Sequence, residues 1–245
     1  MLGNSEKAPD FVDAYLDRMA SETDPKSSFH VQNGAEEQLT FCIIDMLTGG
    51  MESTSASLTW GVLYMILHPK VQERVRGEIL HQIGSERLPT LSDQSSMPYT
   101  TATLMEIQRL GNVTPQSGPH ANRHDVVTFK DGTVVPPGHT FSTSLSSVFA
   151  NEDKFPDHVS FRPERHLLEG GDLNKSNDHY IPFSVGKRRC PGEGLAKANI
   201  FLIFTSMMQK FRFLPEDPED LPSVHNYRSG VSRIPLSFRA RVERA

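Results

Sequence analysis

The feature that most constrains the fold is an unbroken helical pattern from Ala35 to Leu67. It predicts a helix of about 33 residues, which at 1.5 Å per residue is roughly 50 Å long and crosses a whole domain. Because the pattern is apolar on most sides, we expect the helix to be central and buried. Gly49 and Gly50 fall in its middle, where each costs about 1 kcal/mol relative to Ala. They predict a local distortion of the helix or the close approach of a bulky group.

The segments around this helix predict a fold that is mainly α, with small β-sheets. Asp131 and Gly132 separate two short apolar runs, which is a strong hairpin signal. Residues 151–182 are rich in Pro, Asp, Asn and Gly and predict a long ordered loop. Further helices are predicted over residues 8–20, 69–83, 98–110 and 191–211, and strands over residues 124–144 and 231–242.

Charge and cysteine content exclude several classes of protein. Lys and Arg total 25 against 30 Asp and Glu, a net charge of -5 that argues against binding to nucleic acid. Cys42 and Cys190 lie far apart and form no paired motif, so a zinc site, an iron–sulfur site or a disulfide framework is not expected. We expect Cys42, on the apolar long helix, to be a small core residue. No apolar run is long enough to span a membrane.

The most informative stretch for function runs from Phe183 to Gly192 and contains Cys190 immediately before an apolar helix. Free amides and the dipole at a helix N-terminus favour negative charge on a cysteine sulfur. Lys187, Arg188 and Arg189 add positive charge nearby. Gly186 and Gly192 permit tight turns and close approach by a flat partner. These residues predict a stable thiolate beneath a large anionic cofactor.

The same stretch contains every fixed position of the FxxGxRxCxG haem-binding signature, so the chain resembles the cytochrome P-450 family. The resemblance implies that haem b is the cofactor and that Cys190 is the axial ligand of its iron. A thiolate ligand pushes electron density onto the iron and favours O–O cleavage. By the same resemblance Phe183 packs near the cysteine, Gly192 admits the ring, and Arg188 pairs with a haem propionate. The alternative is a buried cysteine in an ordinary turn.

Two further motifs lie in the order typical of the family. Glu106 and Arg109 form an ExxR pair on one helix, which alone would be a surface salt bridge worth under about 1 kcal/mol. Residues 161–166 resemble the family's FxPERF segment, which contributes Arg165. The resemblance implies a buried structural network of Glu106, Arg109 and Arg165 that fixes the cysteine loop. His166 stands where the family usually has Phe or Trp.

Residues 49–54 of the long helix resemble the family's oxygen-activation motif, in which the Gly49–Gly50 distortion opens a groove for dioxygen. The resemblance gives Glu52 the acidic role in proton delivery. Ser53 occupies the usual threonine position, and Thr54 follows it. Serine keeps the hydroxyl donor but is less restricted in χ1, which bears on coupling efficiency rather than on the chemistry. The alternative is a polar step on a kinked helix.

Other positions take their roles from the resemblance alone. His120 matches a position at which a basic residue meets a haem propionate, although an isolated histidine is more often structural. Substrate contacts are implied for residues 45–49, 114–118 and 230–232. The match runs from about residue 8 to the end, and its details resemble the microsomal type of animals. Family members are about twice as long, so we expect residues 1–245 to be the carboxy-terminal half of one domain. The amino-terminal half, and the anchor that holds full-length relatives in the endoplasmic reticulum membrane, would be absent.

The implied activity is that of a haem-dependent monooxygenase. Such an oxidoreductase activates dioxygen and hydroxylates a lipophilic small molecule, with electrons from an NADPH-dependent flavoprotein reductase. Two alternatives stay open. One is a relative that rearranges peroxides without dioxygen, although such enzymes often lack the acidic–hydroxyl pair of Glu52 and Ser53. The other is a truncated, non-catalytic fragment or isoform that does not load haem.

Overall fold

The computed structural model describes residues 10–123 and 125–244, and within them the fold is mainly α with small antiparallel sheets, as predicted. The helices are α1 Phe11–Ala20, α2 Ala35–Leu67, α3 Pro69–Ile83, α4 Pro98–Gly111, α5 Leu145–Phe149 and α6 Glu193–Lys210. The strands are β1 His120–Ala121, β2 Val127–Thr128, β3 Val134–Val135, β4 Thr140–Phe141, β5 Phe211–Pro215, β6 Tyr227–Ser229, β7 Arg233–Pro235 and β8 Ala240–Arg244. They pair as β1–β4, β2–β3, β5–β8 and β6–β7.

Local capping explains where α3 and α4 begin. Pro69 and Pro98 occupy the first turns of these helices, where proline has a suitable φ and its missing N–H is not needed. The Glu78 carboxylate of α3 accepts hydrogen bonds from the backbone N–H groups of Tyr99 (2.9 Å) and Thr100 (2.6 Å). It therefore caps α4 with a negative charge and fixes the start of the ExxR helix against α3.

Residues 52–244 form one compact unit with a core built from α2, α3, α4 and α6. Trp60 of α2 is fully buried, and its indole N–H donates to the carbonyl of Arg233 at 3.1 Å. The Arg233 guanidinium lies 5.3 Å from the Trp60 ring and 4.0 Å from the Tyr227 ring. At the end of α4, a Cβ on Gly111 would approach Trp60 to 2.9 Å. The close packing of α4 on α2 therefore requires glycine at this position.

Residues 10–51 form a second unit, in which few side chains are buried. The Tyr15 hydroxyl donates to the carbonyl of Ala35 at 3.1 Å, and the Tyr15 ring packs on Phe29 with centroids 5.1 Å apart. The α2 residues of this unit include several exposed apolar side chains: Phe41, Ile44, Met46, Leu47 and Met51. The prediction that the long helix is buried along its length is therefore wrong for its first half and correct from Ala56 to Ile66.

The α2 helix continues without a break through Gly49 and Gly50. A Cβ added at either glycine would meet no atom within 4 Å among the described residues. Packing within the described chain therefore does not explain the two glycines. Their predicted part in a groove remains a proposal.

Candidate functional site

The cysteine loop, residues 183–192, is a closed turn that leads into α6. The Cys190 backbone N–H donates to the carbonyl of Phe183 at 2.9 Å, which brings the two ends of the loop together. Ser184 and Gly186 have left-handed φ values of 62° and 75°, and a 3₁₀ turn spans Gly186–Arg188. The loop presents Cys190 as an exposed free thiol. The alternative of a buried cysteine in an ordinary turn is therefore wrong.

A helix N-terminus and two arginine side chains provide positive charge near Cys190. Gly192 caps α6, and the Ala196 N–H donates to its carbonyl at 2.8 Å, so the helix N-terminus begins beside the thiol. A Cβ on Gly192 would lie 3.9 Å from the Cys190 sulfur. The side chains of Arg188 and Arg189 are exposed and have no ion pair within the described residues. A sulfur anion placed here would be favoured by the helix dipole and by these cations.

A surface cavity of about 330 Å³ lies against Cys190. Lys197 borders it, pairs with Glu193 at 2.6 Å and lies 5.5 Å from the Phe183 ring centroid. The cavity is lined by Arg189, Cys190, Pro191, Glu193, Gly194 and Lys197. The thiol thus opens into a concave region whose border is mainly polar and charged.

Glu106 is the centre of a buried ionic network. Its carboxylate is fully buried and receives two hydrogen bonds from Arg109 of the same helix, each 2.9 Å long. The Arg165 Nε donates to it at 2.8 Å from the 3₁₀ turn Pro163–His166. The structure therefore brings together the three residues that the resemblance grouped, and it does so with side chains that are almost entirely excluded from solvent.

His166 is a fourth side chain of this network. Its Nε2 lies 2.9 Å from Glu106 Oε2, and the residue as a whole is 1% exposed. The Arg162 backbone N–H also donates to Glu106, at 3.0 Å. Burial by itself raises the pKa of Glu106, but hydrogen bonds from Arg109 and His166 outweigh it and lower that pKa to about 2. Glu106 is therefore ionised at neutral pH.

Tyr180 connects this network to the cysteine loop. Its ring lies edge-on to His166, with centroids 5.4 Å apart, and its hydroxyl donates to the Gln108 side chain on α4. Tyr180 precedes Phe183 by three residues. The segment that enters the loop is therefore held between α4 and the turn that contributes Arg165 and His166.

The remaining predicted residues lie on other elements. Glu52, Ser53 and Thr54 are consecutive on α2, where the Ser57 hydroxyl donates to the Ser53 carbonyl at 2.8 Å. Neither Glu52 nor Thr54 hydrogen-bonds to the cysteine loop within the described residues. His120 is half-buried at the start of β1, and its ring stacks on Phe141 at 5.9 Å. Within residues 10–123 and 125–244, Glu52, Thr54 and His120 therefore make no direct hydrogen bond to the cysteine loop.

Sequence reasoning missed His166 and Tyr180 as members of the site. The His in place of the usual Phe or Trp beside Arg165 was the available signal, because an imidazole has two ring nitrogens, of which one donates and the other can take up a proton. Tyr180 gave no comparable signal, since its partners on α4 and in the turn are distant in sequence.

The donor set at Cys190 fits a cofactor that brings its own metal ligands. Residues 10–123 and 125–244 contain no group of three or more His, Cys, Asp or Glu able to hold a metal ion. If Cys190 alone bound a metal, the protein would supply one sulfur, and a prosthetic group would suit the remaining coordination positions. Exposed arginines beside the sulfur suit the acidic groups of such a cofactor.

In the described part of the chain, no helix combines the length and apolarity needed to cross a bilayer.

Comparison with known proteins gave a consistent family assignment. Residues 2–241 match the family model described as Cytochrome P450. The chain is 39% identical to cytochrome P450 2J2 of Homo sapiens over 237 residues, which is 96% of this chain and 45% of that protein. It is 40% identical to cytochrome P450 2B4 of Oryctolagus cuniculus over 234 residues, covering 95% of this chain and 46% of that protein. The chain thus spans about half the length of the curated relatives it matches.

Proposed function

Because this chain belongs to the cytochrome P450 family, we propose that it carries the haem-thiolate site of a monooxygenase, with Cys190 as the iron ligand. One observation carries the proposal: an exposed thiol lies at a helix N-terminus, in a loop whose entry segment is anchored to a buried ionic network. A loop that is anchored at its entry and exposed at its cysteine suits a metal-ligating residue, because the sulfur must contact a large planar cofactor.

Individual residues would hold the cofactor in different ways. Cys190 would supply the sulfur, and Arg188, which has no ion pair within the described residues, would pair with a propionate. Phe183 would pack beside the sulfur, and Gly192 would leave room for the ring next to it. His120 would pair with a propionate, either while its ring stays stacked on Phe141 or after the ring has left that stack. When bound, the haem would supply the redox chemistry that activates dioxygen and hydroxylates a lipophilic small molecule.

Residues of α2 would move protons for this reaction. Glu52 is an exposed carboxylate able to take protons from solvent, and the Ser53 and Thr54 hydroxyls follow it on the helix. A Cβ added at Gly49 or Gly50 would meet no atom within 4 Å among the described residues, so this part of the helix surface would leave space for dioxygen. The presence of this acidic–hydroxyl pair favours monooxygenation over a peroxide rearrangement.

The electron donor and location follow from the same proposal. We expect an NADPH-dependent flavoprotein reductase as partner and the endoplasmic reticulum membrane as the location of full-length relatives. The second candidate is a non-catalytic chain that does not load haem.

The first prediction tests the ligand. The purified chain is mixed with haem, reduced under carbon monoxide, and its Soret band is recorded for the parent, Cys190→Ser and Cys42→Ser. We expect the red-shifted band of thiolate ligation in the parent and in Cys42→Ser, whose cysteine is half-buried on α2. We expect the band to be lost in Cys190→Ser.

Two outcomes would contradict this proposal. A red-shifted band that survives in Cys190→Ser would rule out Cys190 as ligand. The absence of haem absorbance in the parent would favour the non-catalytic candidate.

A further inference from the structure

His166 occupies a position in the buried network that its sequence motif does not explain. We propose that His166 is a positioning residue, whose ring N–H fixes the Glu106 carboxylate and whose second ring nitrogen makes the anchor of the cysteine loop sensitive to acid. The link to the cysteine loop rests on the proposed function, whereas the acid sensitivity of the network does not.

The hydrogen bonds determine the state of the ring. Glu106 is ionised and can only accept, so His166 Nε2, at 2.9 Å from Oε2, carries the proton. The other nitrogen, Nδ1, is buried and has no hydrogen-bond partner within the described residues. The backbone carbonyl of His166 accepts from the Asn174 N–H at 2.8 Å, which holds the residue in place. The ring therefore fits as a neutral donor to Glu106.

Protonation of Nδ1 would be costly in these surroundings. The charged groups that face the ring are Glu106 and Arg109 from α4 and Arg165 from the same 3₁₀ turn, while Tyr180 lies edge-on as a neutral neighbour. Glu106 supplies one negative charge against the two positive charges of the arginines, so the group already has a net charge of +1. A protonated His166 would add a third positive charge and a buried N–H without an acceptor, both of which are unfavourable.

The direction of the pKa shift agrees with this geometry. Burial lowers the pKa of His166, the hydrogen bond to Glu106 raises it, and the two arginines lower it again, so that it lies below its ordinary value of 6.5. As the pH falls below 6.5, His166 takes up a proton in the unfolded chain but stays neutral in the folded chain. Stability is therefore lost from pH 6.5 downwards, until the folded pKa is passed. A Phe at this position would have no such dependence.

The second prediction is measured by urea unfolding, followed through the fluorescence of Trp60, the single tryptophan of the chain. The parent is compared with His166→Gln, which retains an N–H donor but cannot titrate, and with His166→Phe, which has neither nitrogen. His158→Gln is the matched control, because His158 pairs with Glu152 at 2.8 Å on the surface.

We expect the unfolding equilibrium constant of the parent to rise more steeply between pH 7 and 5 than that of either His166 variant. The difference would be up to about tenfold per pH unit, the limit for one proton. At pH 7, His166→Gln should stay closer to the parent than His166→Phe, because it preserves the donor to Glu106. His158→Gln should keep the parent's slope. Equal slopes in the parent and His166→Gln would overturn the proposal, even if His166→Phe fails to fold.

A second readout separates this inference from the proposed function. The same variants are loaded with haem, and the pH at which the Soret band is lost is recorded. We expect haem to leave the parent at a higher pH than His166→Gln. Different urea slopes in a chain that loads no haem would support the acid-sensitive network while rejecting the haem proposal. Haem loading with identical pH profiles would reject the role of His166 alone.

Discussion

At the scale of single residues, we expect the folding stability of this molecule to depend strongly on Glu106, because its carboxylate has no exposure to solvent. Its two oxygens accept five hydrogen bonds, from the side chains of Arg109, Arg165 and His166 and from the Arg162 backbone. Removing a charge from water is expensive, and the cost is offset only while the partners are present. The network is therefore a single structural unit rather than a set of separable bonds.

The third prediction follows from this arrangement. Glu106→Gln leaves Arg109 and Arg165 buried without a counter-ion, and we expect it to lower the free energy of unfolding by about 3–5 kcal/mol. The same substitution at Glu73, which pairs with Arg212 on the surface at 3.1 Å, should cost less than about 1 kcal/mol. Urea unfolding of both variants measures the difference.

Urea unfolding of the same two variants at acidic pH gives a further test. The pKa of Glu106 falls from 4.5 to about 2 on folding, so its stabilisation is present above 4.5 and is lost as the pH falls towards 2. Glu106→Gln should remove this loss, whereas Glu73→Gln should not. Similar stability losses at pH 7 for the two variants would show that the network is not energetically special.

At the scale of elements, α4 is fixed by contacts at both ends. Glu78 caps its first turn, and Gly111 at its end packs under Trp60 of α2. Arg109 lies two residues before Gly111, and its guanidinium also donates to the carbonyl of Phe149 at 3.1 Å. A shift of α4 away from α2 would therefore move the ionic network as well.

The fourth prediction tests this packing. Gly111→Ala places a Cβ 2.9 Å from Trp60, and we expect a loss of about 1–3 kcal/mol in the free energy of unfolding from overpacking. Gly77→Ala in α3 is the control, because its Cβ would meet nothing within 4 Å among the described residues. It should stabilise the chain by up to about 1 kcal/mol through helix propensity. Thermal unfolding of both variants distinguishes the effects, and a stabilised Gly111→Ala would contradict the packing argument.

Helices and strands could be predicted from the sequence where the signals that determine them lie close together in the chain. The bounds of α2 and α3 were predicted correctly because apolar periodicity and the His68–Pro69 step are local signals. The α6 helix was predicted from Pro191 but begins at Glu193, after the Gly192 cap. Strand β5 was missed, since it immediately follows α6 and pairs with β8 near the end of the chain.

The residues of the candidate site were likewise only partly predictable from the sequence. Spacing alone placed Glu106 and Arg109 on one helix face but indicated only a surface salt bridge, and their burial with Arg165 followed from the family resemblance. His166 was noted only as a departure from the motif, because the resemblance gives no polar role to the residue at this position and its contact with Glu106, 60 residues away, is not a local signal. The roles of Glu52, Ser53, Thr54 and His120 come from the family resemblance alone and stay predictions.

At the scale of the whole molecule, burial is distributed unevenly along the chain. Among residues 10–51, only Tyr15, Ala35 and Leu39 are buried. The unit of residues 52–244 contains the main core, with Trp60 and Phe204 fully buried. Since local opening requires the loss of buried contacts, the two units should differ in local stability.

The fifth prediction concerns this difference. In amide hydrogen exchange followed by mass spectrometry, peptides from the first half of α2 should exchange faster than peptides covering residues 56–66. Peptides of α4 and α6 should be among the slowest. Equal protection along the whole of α2 would contradict the prediction, because one continuous helix would then open as one cooperative unit.

The hydrogen bond from Trp60 to the Arg233 carbonyl spans 173 positions of the sequence. During synthesis at about 5–20 residues per second, Trp60 would wait on the order of 10–30 s for this partner. Strand β5 must likewise wait for β8, the last strand of the described chain. Nascent chains would therefore expose an incomplete core until residues 233–244 have been synthesised, and this interval is when chaperones would have most to bind.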